Sequence, residues 1–246
     1  MVIKDADTSD LQSLTPDTGG NHSAYVLGET ESPYGYYIYI PGGYDQNNND
    51  YPLLIFLHGD NERGNSAEDA EKLEYVAYYG PPRLINAGNW NPSYPMIVAS
   101  PQTHDEQWNS DKLDEFIEYM LDSYRVDKKR IYMTGYSSGG DGISMYLSTK
   151  DTESPVAAAV IIGGEGNMAI ADKIKVPVWL FHGETDDLAP FEKAVEMANG
   201  MVNSLEVKFT VYPGEWHEVW EQTYDSSGIG TVSNNYDPFD ISIYDW

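Results

Sequence analysis

Cysteine is absent from the chain. That excludes disulfides, thiolate metal sites and a cysteine nucleophile, and leaves the fold without covalent staples. Basic side chains are scarce: 14 Lys and Arg stand against 40 Asp and Glu, for a formal net charge of −26. So acidic a surface repels phosphate backbones and anionic lipid, which argues against a nucleic-acid partner. It suits solubility in a salty medium, where counterions screen the self-repulsion. No apolar run is long enough to cross a bilayer, so no membrane span is expected. The opening Met1-Val2-Ile3-Lys4-Asp5 lacks the basic-then-apolar layout of a signal peptide, although removal of an earlier leader stays open. No loop has the spaced Asp and Asn residues closed by Glu that an EF-hand needs, and Asp45-Gln46-Asn47-Asn48-Asn49-Asp50 reads as a solvated turn. No internal repeat is visible.

What is present suits one large α/β domain. The chain has 246 residues, 41% of them apolar, enough for a well-buried core. Residues 1–30, rich in Asp, Thr, Ser and Gly, have no clear period and are expected to be a poorly ordered arm, with a catalytic domain over 31–246. Strands are predicted at Tyr34 to Ile40, Leu53 to Leu57, Met96 to Ala99, Arg130 to Thr134, Val156 to Ile162, Val176 to Phe181 and Val207 to Tyr212. Helices are predicted around Ala67 to Ala77, after Pro81-Pro82, and from Pro190 to about Val202. Another runs through Leu113, Phe116, Ile117, Met120, Leu121 and Tyr124, with Ser110 placed to cap it. A polar loop follows from Tyr224 to Asp240, and a final amphipathic piece ends at Trp246. Strands alternating with helices predict a mostly parallel sheet covered on both faces.

The sharpest motif is Gly135-Tyr136-Ser137-Ser138-Gly139-Gly140, which follows the strand ending at Thr134 and opens a helix through Ile143, Tyr146 and Leu147. This is the strand–turn–helix setting of a nucleophile elbow, with glycines where side chains would collide with the turn. Two later strand ends supply partners in the order Ser, Asp, His. Asp186 and Asp187 follow Trp179-Leu180-Phe181, and His217 follows Phe209-Thr210-Val211-Tyr212. In such a site His217 takes the serine proton while a carboxylate orients the imidazole. Asp186, earlier in its turn, is preferred to Asp187. The alternative for His217 is a partly buried histidine packed beside Trp216 and Trp220. Of the other histidines, His22 lies in the expected arm and His104 reads as solvated in a polar loop, while His58 and His182 each precede a glycine and are expected to satisfy backbone groups. The oxyanion amides are expected at Ser138 and at Asp60, with Asn61 next. Gln102, Trp108 and Trp220 are candidate substrate-binding residues, Trp108 reading equally well as core packing. No metal and no cofactor is expected.

These residues resemble a known family: the carboxylesterases of the α/β-hydrolase fold often labelled predicted peptidases or phospholipase/carboxylesterase-like, related to feruloyl esterases and bacterial polyester hydrolases. The likeness runs from about Tyr34 onward. It rests on Leu57-His58-Gly59-Asp60-Asn61-Glu62-Arg63-Gly64, Ser100-Pro101-Gln102 with Trp108, Val126 to Gly135, the elbow, His182-Gly183-Glu184-Thr185-Asp186, and His217 with Trp220. The resemblance implies Ser137, Asp186 and His217 as a triad with Asp60 and Ser138 as oxyanion amides. Two positions depart from it: Ser138 stands where the family usually has methionine, and Asp141 where an aromatic is common. Members are often exported, so secretion is expected, with a cytoplasmic location kept open.

The expected activity is serine-dependent hydrolysis of short-chain or aromatic acyl esters through an acyl-enzyme, with feruloyl and polyester substrates among the candidates. The alternatives are a serine peptidase of the same fold, for which a large accessory domain is lacking, and an inactive hydrolase-fold binding protein. A dienelactone-type hydrolase is disfavoured because it would use a cysteine nucleophile.

Overall fold

The computed structural model describes residues 11–150 and 154–246. Its centre is one sheet of eight strands in the order β1-β2-β4-β3-β5-β6-β7-β8. The strands are β1 (Asn21–Tyr25), β2 (Gly35–Ile40), β3 (Tyr51–Leu57), β4 (Ile97–Gln102), β5 (Val126–Tyr136), β6 (Ala158–Ile162), β7 (Val178–Gly183) and β8 (Val207–Tyr212). β1 and β2 run antiparallel at one edge, and the six strands from β4 to β8 are mutually parallel. The helices are α1 (Gly80–Asn86), α2 (Ser110–Ser123), α3 (Ser138–Thr149), α4 (Met168–Ala171), α5 (Phe191–Gly200) and α6 (Trp220–Tyr224). This is the α/β-hydrolase fold.

Strand alternation explains the two faces. Leu53, Ile55 and Leu57 of β3 and Ala159 and Ile161 of β6 join one apolar cluster with Phe116 of α2, Ile143 of α3 and Met197 of α5. Their neighbours Phe56, Val160 and Ile162 point the other way, to Leu73, Val76, Trp220 and Tyr224. Because both faces are covered, β3 is buried at every position, which is why it reads as an unbroken apolar run.

The structure corrects several expectations. Residues 1–10 of the expected arm lie outside the described residues, but 21–25 are not a loose arm: they form β1 and pair with Tyr36 to Ile40 of β2. An edge strand with one solvated face carries polar residues, so it lacks the signature of a core strand. The segment expected as a helix near residues 67–77 is a 3₁₀ run, Ala70–Tyr78. Within it Lys72 O accepts from the Gln102 side chain (2.6 Å). Asn109, not Ser110, caps α2 by accepting from the amides of Asp111 and Lys112. The stretch after Tyr224 is a loop, as expected, with Gly230 and Asn234 at positive φ. This loop covers β8 and ends the sheet, with Phe209 N donating to Asp237 Oδ2 (2.8 Å) and Val211 N to Ser233 Oγ (3.1 Å).

Candidate active site

β5 delivers Tyr136 to the carboxyl edge of the sheet, and the chain reverses at once into α3. The turn residue, Ser137, has φ 51° and ψ −126°. A left-handed φ costs a non-glycine residue about 1–2 kcal/mol. Here it is held by Ser137 N donating to Ile162 O (2.8 Å) and by Asp141 N donating to Ser137 O (3.1 Å). Two glycines make the reversal possible. A Cβ on Gly135 would sit 2.8 Å from Leu57 O, and one on Gly139 would collide with the carbonyl oxygens of Leu57 and His58.

The strained turn aims the Ser137 hydroxyl at His217. Ser137 Oγ lies 3.0 Å from His217 Nε2, and His217 Nδ1 lies 2.7 Å from Asp186 Oδ2. A carboxylate only accepts, so Nδ1 carries the proton and Nε2 is left to accept from the serine hydroxyl. Asp186 and His217 are buried, at 4% exposure each, whereas Ser137 is partly open. The other Asp186 oxygen, Oδ1, accepts from the amides of Leu188 (3.0 Å) and Ala189 (2.9 Å). Burial alone would push the Asp186 carboxyl up. The hydrogen bonds from His182, His217 and the Ala189 amide outweigh it and hold the group well below the usual carboxylate range. The loop that carries His217 reaches this turn because position 183 is glycine, where a Cβ would collide with Trp216 O. Asp187 faces away and is exposed.

The loop after β3 carries the expected oxyanion donor. Asp60 opens a 3₁₀ turn over Asp60–Glu62, and its exposed side chain pairs with Arg63 at 3.1 Å. Asn61 is exposed beside it, and Ser138 is the first residue of α3. Sequence reading missed what anchors this loop. Glu62 is buried, and its Oε2 accepts from the Tyr136 hydroxyl at 2.6 Å, tying the loop to the residue before Ser137. Burial raises the Glu62 carboxyl, and the Tyr136 hydroxyl opposes that rise. An acidic residue in a short loop gives no sign of burial, so only the fold reveals this contact. His58 beside the loop is fully paired: Nδ1 bonds Gly59 O (2.6 Å) and Nε2 accepts from Thr103 N (3.1 Å). Burial pushes its imidazole down to about 4.

The structure buries all three candidate substrate contacts, for Trp108 in line with its core-packing alternative. Gln102 is buried, and its Nε2 donates to Glu62 O (3.0 Å) as well as to Lys72 O, so it braces the loop and does not face a cleft. Trp108 is buried against Gly142, with Nε1 donating to His58 O at 3.3 Å. Trp220 is buried too, stacked on Tyr136 at 4.5 Å and set edge-on to His217 at 5.4 Å, where it packs the imidazole in place. The exposed aromatic near the site is Trp216, 47% exposed with its ring 5.9 Å from that of His217. His22 bonds Asn86 Oδ1 (2.7 Å), and His104 lies exposed at 3.7 Å from Asp105, both far from the chemistry in role.

With the geometry in view, the chain's similarities become informative. A bifunctional acetylxylan esterase/xylanase of Neocallimastix patriciarum is 27% identical over 161 residues, 64% of this chain and 22% of that protein. A probable feruloyl esterase C of Aspergillus terreus is 27% identical over 179 residues, 69% of this chain and 61% of that protein. The chain thus spans less than two thirds of the length of either relative. Among solved structures, a thermostable esterase superposes with a TM-score of 0.62 at 25% identity, over 84% of this chain and 60% of the other. A ferulic acid esterase superposes with a TM-score of 0.58 at 18% identity, over 85% and 95%. The second likeness speaks for the fold alone.

The family profile that matches is that of the Dienelactone hydrolase family, over residues 95–234, more than half of the chain. This corrects the sequence reading that set a dienelactone-type protein aside for want of cysteine. The missing thiol bears on which atom stands at the elbow, not on descent, and the chain belongs to the Dienelactone hydrolase family.

Proposed function

We propose that the chain is a serine carboxylic ester hydrolase that works through an acyl-enzyme. The observation that carries this reading is the unbroken series Ser137 Oγ, His217 Nε2, His217 Nδ1 and Asp186 Oδ2, at 3.0 and 2.7 Å, mounted on a strained turn. Ser137 Oγ attacks the acyl carbon while His217 Nε2 takes its proton, and Asp186 stabilises the imidazolium that forms. The amides of Ser138 and Asp60 hold the oxyanion. Collapse expels the alcohol, which takes the proton from His217 Nε2. Water then repeats the sequence on the acyl-enzyme, releasing the acid and restoring Ser137.

The names of the relatives favour acyl groups as small as acetate or as broad as ferulate on a polysaccharide alcohol. The exposed indole of Trp216 beside His217 suits an aromatic acyl group. Such a substrate is met outside the cell, which agrees with an exported enzyme. Among the described residues no helix is long and apolar enough to cross a membrane.

The test pairs labelling with turnover. A fluorophosphonate should modify Ser137 alone, by peptide mass spectrometry, and abolish hydrolysis of 4-nitrophenyl acetate and methyl ferulate in parallel. Loss of activity without a label on Ser137 sinks the assignment. Peptide cleavage at rates matching the best ester puts the peptidase reading in its place, and no turnover of either leaves a binding protein.

A further inference from the structure

Asp186 Oδ2 is approached by two imidazoles, not one. Besides His217 Nδ1 at 2.7 Å, His182 Nε2 lies 3.2 Å away, and His182 is buried at 2% exposure. His182 is the penultimate residue of β7, just before the turn that carries the acid. Its Nε2 also lies 2.8 Å from Ala189 O. A carbonyl oxygen only accepts, so Nε2 must carry a proton, and the carboxylate beside it shares the same N–H. With the amides of Leu188 and Ala189 on Oδ1, the carboxylate then has four N–H groups within 3.2 Å.

Resting on the triad reading above, we propose that His182 is a positioning residue of this site: its Nε2–H fixes the Asp186 carboxylate and moderates the pull of Oδ2 on His217. The physical reason is that both imidazoles use one oxygen. A donor from His182 draws negative charge from the oxygen that accepts from His217 Nδ1, and it blocks rotation of the carboxylate about its stem. Remove it and Oδ2 is a stronger partner for the His217 imidazolium but a less constrained one. Protonated His217 becomes easier to form in the resting enzyme, where it cannot accept the Ser137 proton. The acid limb of activity therefore moves to higher pH while turnover falls. The other groups around His182 are the apolar ring of Phe191 on α5, at 6.2 Å, and Asp141 on α3, whose carboxyl the imidazole lowers and which rises when His182 is replaced.

A purely structural role, in which His182 only ties β7 to Ala189 O, predicts something different: lost stability, with an unmoved pH profile. The experiment compares His182→Phe, which keeps a ring without a donor, with His182→Gln, whose amide still reaches both acceptors, each alone and combined with Asp186→Asn. On an aryl acetate, His182→Phe is expected to lower kcat about tenfold with KM within about twofold. Its acid limb should rise by roughly half a pH unit. His182→Gln should recover most of both losses. In the Asp186→Asn background His182→Phe should add no more than about a twofold loss, because its target is gone. An unmoved acid limb, or an equal loss in both backgrounds, overturns the proposal. Should His182→Phe fail to fold, histidine ¹⁵N NMR decides: Asp186→Asn must shift the His182 Nε2–H resonance, and an unshifted resonance overturns the proposal. If Asp186→Asn is itself harmless, the triad reading fails, a result distinct from failure at His182.

Discussion

The indole Nε1 of Trp216 donates a 2.6 Å hydrogen bond to Asp187 Oδ1. The adjacent Asp186 takes His217 instead, so two neighbouring aspartates have opposite roles. Asp186→Asn is therefore expected to cost on the order of 10³–10⁴ in kcat, since an amide presents a donor where the imidazole N–H needs an acceptor. Asp187→Asn keeps an oxygen for Trp216 and should cost less than about threefold. Steady-state kinetics on one aryl ester measures both, and a reversal would move the acid to Asp187.

Ser137→Ala should remove activity by on the order of 10⁵ or more, leaving only what oxyanion donors and binding supply. The fold should persist, because the hydroxyl is partly open and packs little. The backbone at 137 makes a further comparison useful. At φ 51° glycine is unstrained and alanine is not, so Ser137→Gly should be about 1 kcal/mol more stable than Ser137→Ala in urea unfolding. Equal stabilities would mean that the turn stores no such strain.

How much of this was legible in the sequence depends on what each feature answers to. The elbow was readable because the backbone itself restricts positions 135 and 139 to glycine. β3 was readable because burial on both faces leaves no polar position in it. The order Ser, Asp, His follows from strand ends, so it survives errors of one or two residues in strand limits. Side-chain direction within a loop does not. Trp220 is drawn toward the cleft by its identity, yet it turns inward because the Tyr136 ring takes it up, while Trp108 takes its core alternative with Nε1 on His58 O. Glu62 and His182 were hidden for the same reason: a buried carboxylate and a shared imidazole proton are set by partners 74 and four residues away, through contacts that no local period encodes. β1 was missed because an edge strand needs only a partner, not an apolar pattern.

Asp141 gives a stability prediction with a definite sign. Burial pushes its carboxyl up to about 6, with the Glu165 charge adding to this and the Gly166 amide opposing it. Raised above the ordinary value, the folded state binds the proton more tightly than the unfolded chain does. The ionised group therefore weakens the fold above about pH 6, and that penalty disappears as pH falls through 6 toward 4. Asp141→Asn keeps an oxygen for the Gly166 amide and removes the charge. It should stabilise the protein by about 2 kcal/mol at pH 8 and by little at pH 4. Urea titrations at the two pH values check this, and a gain independent of pH would mean that the charge is not the cause.

Trp216 is the side chain through which acyl preference should be felt. It is 47% exposed, its ring lies 5.9 Å from that of His217, and its Nε1 is fixed on Asp187. An indole pinned at its polar edge offers a flat apolar face at little entropic cost, which a feruloyl ring can cover and an acetyl group cannot. Trp216→Ala should then raise KM for methyl ferulate about five- to tenfold, equivalent to roughly 1 kcal/mol of ring contact, while 4-nitrophenyl acetate turnover changes less than about twofold. Trp216→Phe should keep most of the aromatic preference, having a face without the Asp187 tether. Because Ser137, His217 and Asp186 are untouched by either change, a fall in kcat on both esters alike would show that Trp216 supports the His217 loop and does not select the acyl group.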